Sequence, residues 1–248
     1  MHISFAAETL VQIGVFKVTN ALTNTLIVDA IIIAISFIIV KNIKLIPGLF
    51  QNIIEMIIQT FYEMTESVTQ EKAMLIFPYF MSFFIFILLS NWTALLPGVS
   101  SIGFFEDHKL IPLIRGATSD LNTTLGLAIV SIVATHIMSI KTVGIKDYLS
   151  RYISLNPINL FIGILEVISE ITKVISLSFR LFGNIFAGEI VLLTVSGIFA
   201  FLFPLPFLTL EIIVGLVQAL VFSMLTMAFM AILTTPHHEP SRAAEHKS

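Results

Sequence analysis

The sequence predicts an all-α integral membrane protein with about five membrane-crossing helices, and three observations predict it. Hydrophobic residues fill 56% of the 248 positions, charged residues only 12%, and the mean hydropathy is +0.98. A soluble domain carries roughly a quarter charged residues, so a chain this apolar needs lipid as the solvent for much of its surface. Apolar runs of the ~20 residues that a hydrocarbon core requires recur between turn signals. The chain has no cysteine, which excludes disulfides and thiolate metal sites. A net charge of −3 with scattered basic residues excludes nucleic acid as a partner. Residues 1–20 lack a basic start and a long apolar run, so a cleaved signal peptide is not expected.

The first span is expected over 22–40, interrupted only by Asp29 and closed by Lys41, Lys44 and Pro47-Gly48. Asp29 is either a satisfied polar contact or part of an access path. Residues 49–70 read differently, because Glu55, Gln59, Glu63, Glu66 and Gln70 form a polar stripe opposite Phe50, Ile54, Ile57, Phe61 and Val68. That pattern predicts an interfacial amphipathic helix. Its stripe is acidic where lipid-surface helices are usually basic, so it is read as facing a partner protein, against a merely solvated face. The second span is expected over 75–96, ending in Asn91-Trp92 and Pro97-Gly98. The third covers 120–140, with His136 the one ionisable residue well inside it.

From 158 to 203 no proline interrupts a helical pattern of 46 residues. As one helix this would reach roughly 70 Å, over twice a ~30 Å hydrocarbon core, so it must tilt, bend or run along the interface. The segment 207–235 is also long for an upright crossing. The two predict a long, strongly tilted C-terminal hairpin, followed by a polar tail over 236–248 in which His237-His238 read as solvated. Lys41, Lys44, Lys72, Lys141, Lys146, Arg151, Arg242 and Lys247 fall on one side, and Lys17, Lys109 and Arg115 on the other. The richer side is cytoplasmic by rule, which places the N-terminus outside and the tail inside.

The informative residues are the ionisable groups in the hairpin, since a charge at the centre of a span usually faces a cavity or a partner. Glu166, Glu170, Lys173, Arg180 and Asn184 stay within one helical face, and Ser169, Ser176 and Gly183 form a seam of small residues beside it. Small residues let another helix approach closely. Glu166, Glu170 and Lys173 can satisfy one another across single turns, whereas Arg180 has no such partner on its helix. Its counter-ion is either a carbonyl or acid of this chain or a carboxylate on another subunit. In an antiparallel hairpin Glu189 falls level with Glu211, and Arg180 with Gln218, in one register. Two carboxyls so placed share a site, and such a pair keeps a proton more readily than an isolated carboxyl.

Ser178-Phe-Arg-Leu-Phe-Gly-Asn-Ile-Phe-Ala-Gly-Glu189 resembles the Arg-Leu-Phe-Gly-Asn segment of F-type ATP synthase subunit a. The resemblance extends through Leu165-Glu166, Lys173-Val-Ile-Ser176 and Gln218-Ala-Leu-Val-Phe222. It also includes Pro47-Gly-Leu-Phe-Gln-Asn52, Asn91-Trp92-Thr-Ala-Leu-Leu-Pro-Gly98 and Asp120-Leu-Asn-Thr-Thr-Leu125. It implies a stationary subunit facing a rotating ring of c subunits, with Arg180 the essential charge between two aqueous half-channels. Glu189, Asn184 and Gln218 match polar residues near that arginine, and Glu211 stands where the family often has an acid or a histidine. Asp120, Asn122 and His136 are weaker pathway positions: Asp120 is either a helix cap or a channel group, and His136 either a core residue or a relay.

The implied partners are the c ring, peripheral-stalk b-type subunits, the remaining ATP synthase subunits and membrane lipid, in a bacterial inner membrane or, as runner-up, an organelle inner membrane. No cofactor, no metal site and no catalysis by the chain alone are expected. An intramembrane enzyme lacks its parts here, with no His-Glu-x-x-His, Gly-x-Ser-x-Gly or Walker loop. A stand-alone proton-coupled secondary transporter is the remaining alternative, but that class often shows inverted repeats, and the ionisable cluster here has no matching copy.

Overall fold

The computed structural model describes residues 9–13, 16–96, 103–106, 109–112, 114–152, 157–198 and 204–235. Two antiparallel strands, β1 (Thr9–Ile13) and β2 (Phe16–Thr19), lead into helix α1 (Asn20–Lys41). The Thr19 hydroxyl accepts from the Leu22 amide at 3.3 Å, which gives α1 its N-cap. Helix α2 (Leu49–Thr69) carries the predicted acidic stripe, and Glu55, Gln59, Glu63, Glu66 and Gln70 are all exposed. Gln70 takes a φ of 51°, a left-handed value that L side chains resist, and there the chain breaks into a 3₁₀ turn before helix α3 (Ala73–Ala94).

A second hairpin, β3 (Gly103–Glu106) with β4 (Lys109–Pro112), precedes helix α4 (Leu121–Val143) and the short helix α5 (Ile145–Tyr152). Helix α6 (Pro157–Ile198) runs for 42 residues, and α7 (Pro204–Leu233) returns alongside it for 30. Four segments are long and apolar enough to cross a membrane among those searched: 20–41, 49–94, 121–143 and 204–233. At 1.5 Å per residue α6 is about 63 Å long, twice a ~30 Å hydrocarbon core.

The all-α membrane class and the long C-terminal helix pair are as expected, with differences at the edges. Neither hairpin nor α5 was foreseen, because each is too short to show a period against an apolar background. Helix α7 starts at Pro204, so Pro204 and Pro206 lie in its first turn and not in the connecting loop. The first turn makes no use of the amide hydrogens that proline lacks. Residues 199–203 between α6 and α7, the Pro97-Gly98 turn and the 236–248 tail lie outside the described residues.

Lipid tails are as apolar as leucine, so helices in a membrane associate through packing and interhelical hydrogen bonds. The packing centre joins Phe83, Phe84 and Ile87 of α3 to Leu177, Leu181 and Ile185 of α6 and to Phe222 of α7. Ser131 and Thr226 share a hydrogen bond at 2.8 Å, and Thr124 and Ser178 another at 3.2 Å. Asn91 donates to the Gly215 carbonyl at 2.9 Å and accepts from Thr118 at 2.6 Å. A Cβ at position 215 would stand 3.2 Å from Asn91 Cβ, tighter than ordinary contact, so the glycine eases the close approach of α3 to α7. Each such bond contributes ~0.6–2 kcal/mol in a membrane. Lys72 donates to the Thr234 carbonyl and Ser139 to that of Leu233 at 2.6 Å, satisfying carbonyls that the end of α7 leaves open.

Candidate functional site

Helix α6 carries the ionisable residues, and α4, α5 and α7 decide which of them find partners. Arg180, near its middle, is exposed, and its Nη2 donates to Ser176 Oγ at 3.3 Å one turn away. No carboxylate lies within ion-pairing distance of it among the described residues. Ser169 and Ser176 are exposed and Gly183 is half-buried. Ser169, Thr172, Ser176 and Arg180 line one open groove, flanked by Leu225 and Phe229 of α7. The side chains that α6 packs inward from this stretch, Leu177, Ser178 and Leu181, are at most 2% exposed. Sequence spacing alone produces this division, since positions three and four apart share a helix face.

Ten residues before Arg180, about 15 Å along the axis, Glu170 is held within the chain. Its Oε1 accepts from Lys173 Nζ at 2.8 Å, and its Oε2 lies 3.7 Å from His136 Nε2. The other His136 nitrogen, Nδ1, is 3.1 Å from the Tyr148 hydroxyl, and Lys173 Nζ sits 4.9 Å from the Phe229 ring centre. Tyr152 follows on α5, its phenol pushed up by burial first and by Tyr148 second, so it stays protonated. Its carbonyl packs on Gly163, where a Cβ would stand 2.1 Å from that oxygen, so only glycine admits α5 here. The expected trio is thus changed in one member: Glu166 is half-buried and makes no ion pair among the described residues, and His136 stands beside Glu170 and Lys173 instead. A histidine from α4 reaches Glu170 more directly than Glu166 can, because like charges one turn apart repel.

Nine residues beyond Arg180, about 13 Å in the other direction, lies a second cluster. Glu189 Oε1 is 3.7 Å from Arg115 Nε, and that arginine's side chain is only 8% exposed. Glu211, 4% exposed, lays its carboxylate over Gly188, where a Cβ would meet its Oε2 at 1.8 Å. Asn184 Nδ2 donates to Gln218 Oε1 at 2.8 Å, one turn nearer Arg180. The two helices therefore lie close to the antiparallel register expected from the polar spacing, with Glu211 beside Gly188-Glu189, while Gln218, expected level with Arg180, bonds instead to Asn184 one turn beyond it.

Asp120 acts as the N-cap of α4, accepting from the Asn122 backbone and side-chain nitrogens, each at 3.3 Å. Asn122 is exposed, and neither residue bonds to Glu189, Glu211 or Asn184 among the described residues. Asp29 is exposed on α1. Sequence reasoning missed Arg115, Tyr148 and Tyr152. In the sequence Arg115 reads only as a cation on the same side as Lys17 and Lys109. The short run from Arg115 to the Asp120 cap was a signal, since so few residues cannot hold a side chain far from the helix ends. No group of three or more metal-ligating side chains occurs among the described residues.

A family profile described as ATP synthase A chain matches residues 22–231. The ATP synthase subunit a of Geotalea daltonii is 33% identical over 234 residues, covering 93% of this chain and 94% of that protein. ATP synthase subunit a 3 of Pelobacter propionicus is 34% identical over 214 residues, covering 85% and 86%. The Legionella pneumophila ATP synthase subunit a is 33% identical over 228 residues, covering 92% and 91%. The match runs from the start of α1 almost to the end of α7 and takes in both polar clusters and the arginine between them, and the chain belongs to the ATP synthase A chain family.

Proposed function

We propose that this chain is the stationary, proton-conducting subunit of a rotary F-type ATP synthase, and that Arg180 is the charge on which conduction depends. The observation that carries this reading is the position of Arg180. It is exposed on a long membrane helix, hydrogen-bonded to Ser176 and without a carboxylate of its own chain within reach among the described residues. A guanidinium does not deprotonate in proteins, so it cannot relay protons and acts as a fixed cation. Opposite a partner carboxylate at ~4 Å, with an effective dielectric near 20, the attraction is about 4 kcal/mol. That is enough to hold a passing ring carboxyl ionised and to make it give up its proton.

The polar clusters about 15 Å before and 13 Å beyond Arg180 along α6 are the inner ends of two offset half-channels in this reading. Glu189, Glu211, Asn184 and Gln218 belong to the outer one, and Glu166, Glu170, Lys173 and His136 to the inner one. Ser169, Ser176 and Gly183 are the track on which the c ring runs. Partners are the c ring, the b-type stalk subunits and the rest of the complex. The membrane is a bacterial inner membrane with the N-terminus outside. The chain is non-catalytic by itself.

The test is ATP synthesis driven by a proton gradient in vesicles bearing the assembled complex. Arg180→Ala drops synthesis to background while the complex still purifies with its ring. Arg180→Lys fails as well, because an ammonium differs in reach and sheds its proton when buried. Wild-type synthesis rates in Arg180→Ala would remove the assigned role.

A further inference from the structure

The outer cluster holds three charges, not two, and the third comes from outside the helix pair. Arg115 stands in the segment just before the 3₁₀ turn Ala117–Ser119, yet its side chain is 8% exposed and its Nε lies 3.7 Å from Glu189 Oε1. Glu211 is more deeply buried still, at 4%, and no cation lies within ion-pairing distance of it among the described residues. Its carboxylate rests on Gly188, the residue before Glu189.

We infer that Arg115 is a positioning residue for the outer carboxyl pair: it pins Glu189 as a fixed carboxylate and leaves Glu211 as the member that takes up and releases the proton. This rests on the proposed proton-conducting function and adds to it a division of labour between the two acids. One guanidinium with two carboxyls is neutral when a single proton is aboard and singly negative when it has left. Without Arg115 the same two states are each one charge more negative, in a place where an uncompensated charge is costly. The cation therefore sets the pair to work one proton at a time. The proton sits on the acid that no cation holds, because a nearby positive charge favours the ionised form of its neighbour. Glu211 lies two turns from Gln218 on α7, and Gln218 bonds Asn184 one turn from Arg180, so its proton faces the line that leads to the central arginine.

The test uses the assembled complex in vesicles, with synthesis rates normalised to the amount of this chain that copurifies with the ring. Arg115→Gln lowers proton-driven synthesis by on the order of tenfold or more, and Arg115→Lys by less, because the Glu189 carboxylate beside it favours the charged ammonium. The double variant Arg115→Gln with Glu189→Gln recovers to within ~3-fold of the wild type and exceeds both single variants, since both members of the fixed pair are then gone. Glu211→Gln stays at background with Arg115 intact or replaced. The inference is overturned if the double variant is no better than the poorer single one, or if Glu211→Gln synthesises ATP. Either result leaves Arg180→Ala inactive if the rotor-facing role of Arg180 is right, so the two readings fail separately.

Discussion

The two flanks of α6 and its middle are built from the same kinds of residue and end in opposite states. At Glu170 and at Glu189 the chain answers each carboxylate itself, with Lys173 at 2.8 Å and His136 at 3.7 Å in one case and Arg115 at 3.7 Å in the other. At Arg180, between them, it supplies a serine hydroxyl and no carboxylate among the described residues, and leaves the side chain exposed. A membrane helix does not strand a charge without a purpose, because the cost of doing so is several kcal/mol. The paired ends make the unpaired middle informative. They show that this fold can bring partners to the carboxylates of α6 from two other segments, α4 and the stretch that carries Arg115, so the open arginine is not a failure of supply.

The largest effect expected from disturbing this contrast falls on the open face. Ser176→Leu places a branched side chain beside Arg180 where the groove is shallow, and coupled ATP synthesis falls by on the order of 100-fold. Small residues at such tracks set how closely helices approach. The stability of the isolated chain in detergent stays unchanged. A variant that synthesises ATP at the normal rate would show that nothing docks closely on that face.

An intermediate effect is expected at the outer cluster. Gly188→Ala drives a methyl into the space of the Glu211 carboxylate, where the Cβ position is 1.8 Å from Oε2. The carboxylate is the far end of a flexible side chain and swings aside at small cost in stability. Synthesis falls by on the order of tenfold, as a misplaced proton-transfer group loses part of its 10²–10⁴-fold contribution. The readout is synthesis against thermal stability of the purified complex: loss of rate without loss of stability fits, and an equal loss of both does not.

The smallest effect is expected at the paired end. Lys173→Gln removes the ammonium from Glu170, whose side chain is 11% exposed, and leaves the His136 ring beside it. Breaking a buried pair outright costs 3–5 kcal/mol. With one partner kept, about 2 kcal/mol of stability is lost and the synthesis rate falls, but less than in the variants above. Thermal unfolding of the complex measures the first and vesicle assays the second.

The helices were legible because each carries a repeating signal. Apolar length fixed the positions of α1, α3, α4 and α7, and the acidic stripe of α2 followed from helical spacing alone. The antiparallel register of α6 and α7 was legible to within a turn: polar spacing sets Glu189 level with Glu211 and Arg180 with Gln218, and the structure lays Glu211 on Gly188 but bonds Gln218 to Asn184, one turn beyond Arg180. Short elements were not legible: β1 to β4 and α5 span too few residues to show a period, and Gly163 and Gly215 reveal their reason only when Tyr152 and Asn91 are seen against them.

By itself, then, the sequence determined the membrane class, the order of long helices, the face that bears Arg180 and the level at which two carboxyls meet. All of these depend on residues related by a fixed rise and turn along one helix or two antiparallel ones. Only the tertiary structure decided who answers each charge: Arg115 for Glu189, and His136 with Tyr148 behind it for Glu170. Those contacts join segments far apart in the chain through loops that carry no period. A loop's path is settled by the packing of the helices it connects, and that packing is a property of the folded whole.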